Sequence, residues 1–244
     1  STHFISPSHL LIQPGVANLA GAPHDTGVKH LLLALGLCAT AAHATNRVVV
    51  ARDPRALDEP ARVRALVAAG LQRLTGQASE TAAWQELVSS NDIVGLKIST
   101  TAAPLHFTHP ALLDAVVAGL QLAGVTSNNI IVFDRDPKKI QDAGYPTHRV
   151  VPIIGGTGWD ADAFIENGLV GKLIWGDLLF GKDETISTRS HLPVLVTRRL
   201  TKLINLPVLM DHDSAGIAGA LYNLTVGMTD NARRFEVAEI GRAH

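Results

Sequence analysis

Residues 93–133 constrain the fold more than any other part of this sequence, because they alternate strand, helix and strand patterns. Ile93–Ser99 (IVGLKIS) and Ile130–Phe133 (IIVF) are short apolar runs rich in β-branched residues, which is typical of buried strands. Between them, His109–Leu122 has the pattern of an apolar helix that opens on proline. Two strands joined by one crossover helix are parallel. We therefore predict an α/β fold with a mostly parallel, doubly wound sheet, helices on both faces and a single domain.

Further elements are expected on both sides of this unit. Arg47–Ala51 (RVVVA) indicates one more strand, and Leu203–Met210 (LINLPVLM) indicates another. The sequence Ile153–Gly158 (IIGGTG) lacks the spacing of a phosphate-binding loop, so we predict a plain turn there. Further helices are predicted from Pro60 to Gly76, from Glu80 to Ser89, over Lys138–Ala143, over Pro193–Leu200, and from a Ser214 cap through Leu221 towards Gly227.

Composition excludes several classes of protein. With 46% apolar and 18% charged residues, most of the chain can bury a core and disorder is not expected. The 21 basic and 22 acidic residues nearly cancel, and no stretch concentrates the basic ones, so a nucleic-acid partner is not expected. The single cysteine, Cys38, excludes an internal disulfide and a thiolate-held iron–sulfur cluster in this chain. If a metal cofactor binds, a divalent ion held by His, Asp or Glu is the expected form.

The two ends of the chain carry patterns of a different kind. Residues 28–44 combine a basic start, an apolar run and an A-x-A ending, which predicts a secretory signal and an exported bacterial protein, periplasmic or extracellular. A core helix is the alternative, and the run is too short for stable membrane insertion. Residues 1–27 would then be an upstream or non-native extension, and residues 239–244 (EIGRAH) resemble a translated sequencing adapter. This interpretation leaves residues 45–238 as the α/β domain, incomplete at its C-terminus.

Four passages carry a resemblance to a known family: Asp92–Ser99 (DIVGLKIS), Thr108–Gly124, Ile130–Arg135 (IIVFDR) and Leu203–Phe235. Together they resemble the family catalogued as domain of unknown function 362, over roughly residues 47–235. The resemblance implies a fold and a few site positions but no reaction. Some relatives carry an adjacent ferredoxin-like segment with clustered cysteines, which this sequence lacks.

The sequence departs from the family at three of these positions. Family members commonly show lysine at the positions of Met210 and Tyr222, and asparagine at that of Ser99. If those lysines bind an anion in relatives, the resemblance implies that this chain has lost that part of the site or changed its ligand.

Lys97 lies inside an apolar strand pattern and is the first candidate for chemistry. Burying an unpaired ammonium group is costly, so we expect Lys97 to meet an opposite charge or to face a cleft. It would then bind an acidic group of a ligand or act as a catalytic amine with a lowered pKa. The alternative is an edge strand whose lysine points to water and blocks edge-to-edge pairing.

Charged residues follow two other strand patterns. Asp134 comes directly after Ile130–Phe133 and could orient a ligand or bind a cation, while Arg135 could hold a carboxylate or phosphate. The alternative is that Asp134, Arg135 and Asp136 form a solvated turn with a local ion pair. His212 follows Leu203–Met210 and stands between two carboxylates, which suits a general acid or base, or a metal ligand with a carboxylate co-ligand. Its alternative is an acidic turn that caps the next helix.

His106 and His109 follow the Lys97 strand and are spaced as two ligands of one metal ion on a helix would be. The alternative is that His109 caps the helix and His106 lies in an exposed loop. Because the carboxyl ends of parallel strands meet at one edge of a sheet, we expect the strand-end residues to share one cleft. The expected catalytic residues are Lys97, Asp134 and His212, and the expected ligand-binding residues are Arg135, Asp211, Asp213 and Asn223.

Three functions remain open at this point. The first is an exported enzyme that acts on a small anionic substrate through a lysine, histidine and aspartate site at the strand ends. The second is a non-enzymatic ligand-binding or redox-accessory protein that partners an iron–sulfur protein, as the resemblance implies. A purely structural domain is the third, and it leaves charges at three strand ends without a reason.

Overall fold

The computed structural model describes residues 9–12, 47–166, 189–213 and 216–231. The predicted signal at residues 28–44, the hexamer at residues 239–244 and the expected cap Ser214 lie outside the described residues. So does nearly all of the predicted extension at residues 1–27.

The described residues form short strands arranged in four sheets. One sheet has four parallel strands, and each of the others is an antiparallel pair. The strands are β1 (His9–Ile12), β2 (Val49–Arg52), β3 (Val94–Ile98), β4 (Ile130–Asp134), β5 (Val151–Pro152), β6 (Trp159–Glu166), β7 (Arg189–Pro193), β8 (Lys202–Leu206), β9 (Met210–His212) and β10 (Gly216–Ala218).

The four-stranded sheet confirms the predicted α/β fold. Its order is β5–β4–β3–β8, so β3 lies between two parallel neighbours. The chain adds β4 and β5 on one side of β3 and then returns to place β8 on the other side. This reversal is a topological switch point between β3 and β8, the position at which open α/β sheets bind ligands beyond their strand ends.

Six α-helices accompany the strands within the described residues. No helix among these residues is both long and apolar enough to cross a membrane. The helices are α1 (Pro60–Thr75), α2 (Glu80–Leu87), α3 (Pro110–Leu122), α4 (Pro137–Asp142), α5 (Val194–Arg198) and α6 (Ala220–Thr225).

Successive side chains of β3 point to opposite faces of the parallel sheet. Val94, Leu96 and Ile98 are fully buried and belong to a large apolar cluster with α1, α2, α3 and α4, which we call the first face. The helices pack closely there, because a Cβ on Gly119 of α3 would overlap the Trp84 indole of α2. The first face is therefore a dense apolar layer.

The second face carries the alternate residues of the same strands. Ile131 and Phe133 of β4 belong to a smaller apolar cluster with residues of α5 and with Met228. Gly95 of β3 allows Leu200 to lie against the sheet, since a Cβ at Gly95 would overlap the Leu200 side chain. Lys97 is the next residue of β3 on this face, beside Phe133 of β4 and Asn205 of β8 in the strand register.

The region after β8 differs from the prediction. The predicted strand Leu203–Met210 ends at Leu206, because Pro207 has no amide hydrogen to donate to a sheet. The chain then forms the β9–β10 hairpin, in which Gly216 has a φ of 71°, a conformation that suits glycine. The predicted helix from Ser214 is therefore wrong in its start, and α6 begins at Ala220.

Two smaller differences concern β2 and the glycine-rich segment. The predicted strand at Arg47–Ala51 is present as β2, but it pairs antiparallel with β1 and does not join the parallel sheet. Residues Ile153–Thr157, predicted as a plain turn, form a wide helical turn in which Gly155 has a φ of 72°. The helices predicted from Pro60, Glu80, His109, Lys138 and Pro193 are present as α1 to α5, with ends shifted by a few residues.

Candidate functional site

Lys97 lies in the central strand with none of its side chain exposed. Its Nζ donates hydrogen bonds to Oδ1 of Asp134 at 2.5 Å, to the carbonyl of Ile98 at 2.7 Å and to Oδ1 of Asn223 at 2.9 Å. An ammonium group has three hydrogens, so these acceptors use all of them. The edge-strand alternative is wrong, because β3 is paired on both sides and Lys97 meets a carboxylate instead of water.

Burial lowers the pKa of Lys97 from its ordinary value, because removal from water disfavours the charged form. The Asp134 carboxylate opposes this shift, and the nearby Arg135 guanidinium adds to it. The Lys97 ammonium therefore loses its proton more readily than that of an exposed lysine.

The Asp134 carboxylate is almost fully buried and accepts hydrogen bonds on both oxygens. Oδ1 accepts from Lys97 and from the backbone amide of Arg135 at 2.7 Å. Oδ2 accepts from the backbone amide and the hydroxyl of Thr100 at 2.8 and 2.6 Å. Four donors around one carboxylate hold the pair of Lys97 and Asp134 in a fixed geometry.

Arg135 brings a second cation to the same place. Its Nη1 and Nη2 donate to the backbone carbonyls of Val226 at 3.4 Å and Asp230 at 3.0 Å. Its Nε is buried without a hydrogen-bond partner, and no carboxylate lies within ion-pair distance of it in the described part of the chain. The cluster of Lys97, Arg135 and Asp134 thus holds two cations and one anion, a net charge of +1.

Two asparagines attach α6 to the second face. Nδ2 of Asn223 donates to Oδ1 of Asn205 at 2.7 Å, while Oδ1 of Asn223 accepts from Lys97. Asn205 in turn donates to the carbonyl of Ala220 at 2.8 Å. Asn223 is buried and has the partners that a buried amide requires.

The backbone of residues 226–229 covers the Lys97 ammonium. A Cβ placed on Gly227 would lie 3.0 Å from Lys97 Nζ and 3.2 Å from Asn223 Oδ1. Residues 226–229 are buried, and Arg135 binds the carbonyl of Val226 in this segment. The glycine therefore lets the backbone close over the charged cluster.

Thr108 joins the ends of β3 and β8. Its hydroxyl accepts from the amide of Ser99 at 2.8 Å and donates to the carbonyl of Leu206 at 2.6 Å. The carbonyl of Thr108 accepts from the hydroxyl of Tyr145 at 2.6 Å, and burial raises the pKa of that phenol. These bonds fix the strand ends that frame the cluster at the switch point.

His212 lies in the β9–β10 hairpin, outside the parallel sheet. Its Nε2 is 2.9 Å from the hydroxyl of Tyr222, the residue before Asn223 in α6, and the two rings lie 4.7 Å apart. His212 is not among the hydrogen-bond partners of Lys97 or Asp134. The flanking Asp211 and Asp213 are exposed. The structure therefore brings Lys97, Asp134, Arg135 and Asn223 together, whereas His212 contacts α6 at Tyr222.

The two histidines expected to bind metal serve different local roles. Nδ1 of His109 accepts a hydrogen bond from the amide of Ala111 at 3.2 Å, so His109 caps α3. His106 is exposed in the turn before it, where its backbone bridges to Ala102. Among the described residues, no group of three His, Cys, Asp or Glu side chains is placed to hold a metal ion.

Two residues of the cluster were not predicted from the sequence. Asn205 could have been found, because it is a polar residue inside an apolar strand, as Lys97 is. The sequence gives no such indication for Thr100, which is a threonine directly after a strand. Asp136, outside the cluster, caps α4 by accepting from the amides of Lys138 at 2.8 Å and Lys139 at 3.4 Å.

No protein-family model, curated protein or solved structure matches this chain.

Proposed function

We propose that this chain binds a small anionic ligand at the carboxyl edge of its parallel sheet, beside Lys97, Arg135 and Asp134. The observation that carries the proposal is the charge of the cluster, in which the Lys97 ammonium pairs with the Asp134 carboxylate while the nearby Arg135 guanidinium binds only backbone carbonyls among the described residues. A net positive charge at low dielectric attracts an anion strongly. The cluster also lies at the switch point between β3 and β8, where α/β sheets bind ligands.

Arg135 is the residue that offers a hydrogen bond to this ligand. Its Nε has a hydrogen with no acceptor among the described residues, whereas Lys97 has used all three of its hydrogens. Lys97 therefore contributes charge to the site, and Arg135 contributes both charge and a donor. A planar guanidinium group suits carboxylates and phosphates.

We further propose that an enzymatic reaction at this site would use His212 with Tyr222. Lys97 would have to break its hydrogen bonds to three acceptors before it could act as a base. Asp134 is equally constrained, because four donors already bind its carboxylate. The imidazole of His212 is only part-buried and contacts a phenol 2.9 Å away, so this pair can exchange protons.

Thermal unfolding with added anions tests the proposal. Inorganic phosphate, sulfate and succinate should each be titrated into the protein at constant ionic strength. A ligand that binds only the folded state stabilises it by about 2.7 kcal/mol at a concentration of 100 Kd. We expect at least one of these anions to raise the Tm of the wild type in a saturable way.

Two arginine variants make the test specific. Arg135→Gln should abolish the rise in Tm, while Arg149→Gln should retain it, because Arg149 pairs with Asp114 and is not among the hydrogen-bond partners of Lys97, Asp134 or Arg135. An equal rise in both variants would show that the anions act through general charge effects. No rise with any anion in the wild type would remove the proposed function.

A further inference from the structure

His191 of β7 is held by a carboxylate from a distant part of the chain. Its Nδ1 lies 2.7 Å from Oδ2 of Asp230, and its backbone amide donates to Oδ1 of Asp230 at 2.7 Å. The amide of Asn231 donates to the same Oδ1 at 2.6 Å. One carboxylate therefore fixes both the backbone and the ring of His191.

This contact defines the tautomer of the neutral imidazole. Burial raises the pKa of Asp230, but the hydrogen bonds from His191 and Asn231 outweigh it and lower that pKa overall. An ionised carboxylate can only accept, so Nδ1 carries the hydrogen and Nε2 keeps its lone pair. Nε2 has no hydrogen-bond partner within the described residues, and the His191 side chain is 27% exposed. The His191 ring is thus partly open to solvent.

A part-exposed aromatic ring lies next to His191, bordered by the charged side chains of Arg189 and Glu166. Phe164 is its register partner on β6, and the two rings meet edge to face with centroids 5.8 Å apart. Phe164 is 36% exposed. Arg189 covers the Phe164 ring at 4.3 Å and already pairs with Glu166 at 3.5 Å. An uncharged apolar molecule therefore fits beside Nε2 better than an anion does.

We propose that His191 and Asp230 form a reactive site for uncharged apolar esters, in addition to the anion site and independent of whether that site is occupied. An imidazole whose Nδ1–H is held by a carboxylate is oriented with its Nε2 lone pair directed away from that carboxylate, as in other nucleophile and base arrangements. Phe164 supplies the apolar surface on which an aryl or alkyl group of the ester packs.

The reaction proceeds in two steps. Nε2 attacks the carbonyl carbon, and the ester C–O bond breaks, so that the alcohol or phenol leaves with the bonding electron pair as its anion. The ring then carries the acyl group on Nε2 and a positive charge, which Asp230 stabilises through Nδ1–H. Water adds to the acyl carbon and gives one proton to solvent, which balances the proton that the released alkoxide or phenolate takes up. The N–C bond then breaks with its electrons returning to Nε2, and the carboxylic acid gives its remaining proton to solvent.

Competitive labelling of the wild-type protein tests the reactivity of Nε2. Diethyl pyrocarbonate acylates histidine nitrogens, and mass spectrometry of digests gives the rate at each residue. His148 is the matched control, because it is exposed. We expect His191 to react several-fold faster than His148 although it is less exposed. If His148 reacts as fast or faster, exposure alone sets reactivity and the proposal is overturned.

Hydrolysis of 4-nitrophenyl acetate tests the site as a catalyst. We expect His191→Ala to remove most of the esterase rate of the wild type, and His148→Ala to leave it unchanged. Asp230→Asn should lower the rate by about tenfold or more, because an amide no longer enforces the Nδ1–H tautomer. Circular dichroism checks that the variants fold, and the labelling of the wild type stands independently of them. A His191→Ala protein with the wild-type rate contradicts the proposal, whereas loss of phosphate binding does not bear on it.

Discussion

The two faces of the parallel sheet are packed on different physical principles. On the first face, 25 buried residues of the described chain form one apolar cluster under α1, α2, α3 and α4. On the second face the apolar cluster has 7 buried residues, and a charged network around Lys97 continues it to the strand ends. Apolar burial stabilises a fold without directional requirements, whereas buried charges must be paired and hydrogen-bonded. The first face therefore provides most of the stability of the fold, and the second face carries the groups suited to chemistry.

The largest expected effect comes from breaking the buried ion pair on the second face. Asp134→Ala removes the only carboxylate that binds the Lys97 ammonium among the described residues and leaves two cations together. Removing one partner of a buried pair typically costs about 3–5 kcal/mol. We expect urea denaturation to show a loss of that order, and a loss below about 1 kcal/mol would mean that the charged network is not integral to the fold.

Truncation on the first face should cost stability without touching the site. Leu113 of α3 is fully buried, so Leu113→Ala should lower the free energy of unfolding by about 3 kcal/mol. Leu122→Ala in the same helix is the control, because Leu122 is 42% exposed and should cost less than about 1 kcal/mol. Leu113→Ala should also keep the anion affinity of the wild type. A changed anion affinity would show that packing on the first face also affects the site on the second face.

Overfilling the first face should cost less than truncating it. In Gly119→Ala, the new methyl group would overlap the Trp84 indole, so α2 and α3 must move apart. Such overpacking typically costs about 1–3 kcal/mol. Thermal unfolding that shows no loss of stability would mean that the helices of the first face are packed more loosely than the structure indicates.

The smallest effect is a pH dependence that belongs to the second face alone. The pKa of Lys97 is lowered in the folded state, chiefly by burial, so the unfolded state binds more protons at pH values between that pKa and about 10.4. Over this range the free energy of unfolding of the wild type should rise with pH relative to that of Lys97→Met. Urea titrations at several pH values measure this difference. A relative stability that falls with rising pH would show that pairing with Asp134, and not burial, dominates.

The sequence predicted the parts of the fold that depend on local pattern. The strand, helix and strand pattern of residues 93–133 predicted parallel strands, and β3, α3 and β4 confirm it. Lys97 inside an apolar strand predicted a buried charge with a partner, because an unpaired ammonium group is too costly to bury. The structure supplies that partner in Asp134.

The remaining features depend on contacts between distant residues. Asn205 lies beside Lys97 only because β8 pairs with β3, a register that no local pattern contains. Asp230 and His191 are 39 positions apart and meet only when the chain after α6 returns to β7. The β9–β10 hairpin was missed because residues 211–221 suit a capped helix as a local pattern, while Gly216 and Pro207 favour the hairpin.

The most direct test of the central claim follows the Nε–H of Arg135 by NMR. Its ¹H–¹⁵N resonance, assigned by its absence in Arg135→Lys, should be recorded while inorganic phosphate is added at constant ionic strength. We expect a saturable shift of this resonance, because the buried Nε–H has no acceptor among the described residues, and an unchanged resonance for Arg149, which already pairs with Asp114. An Arg135 resonance that does not move, or that moves together with every other arginine, would contradict an anion site on the second face.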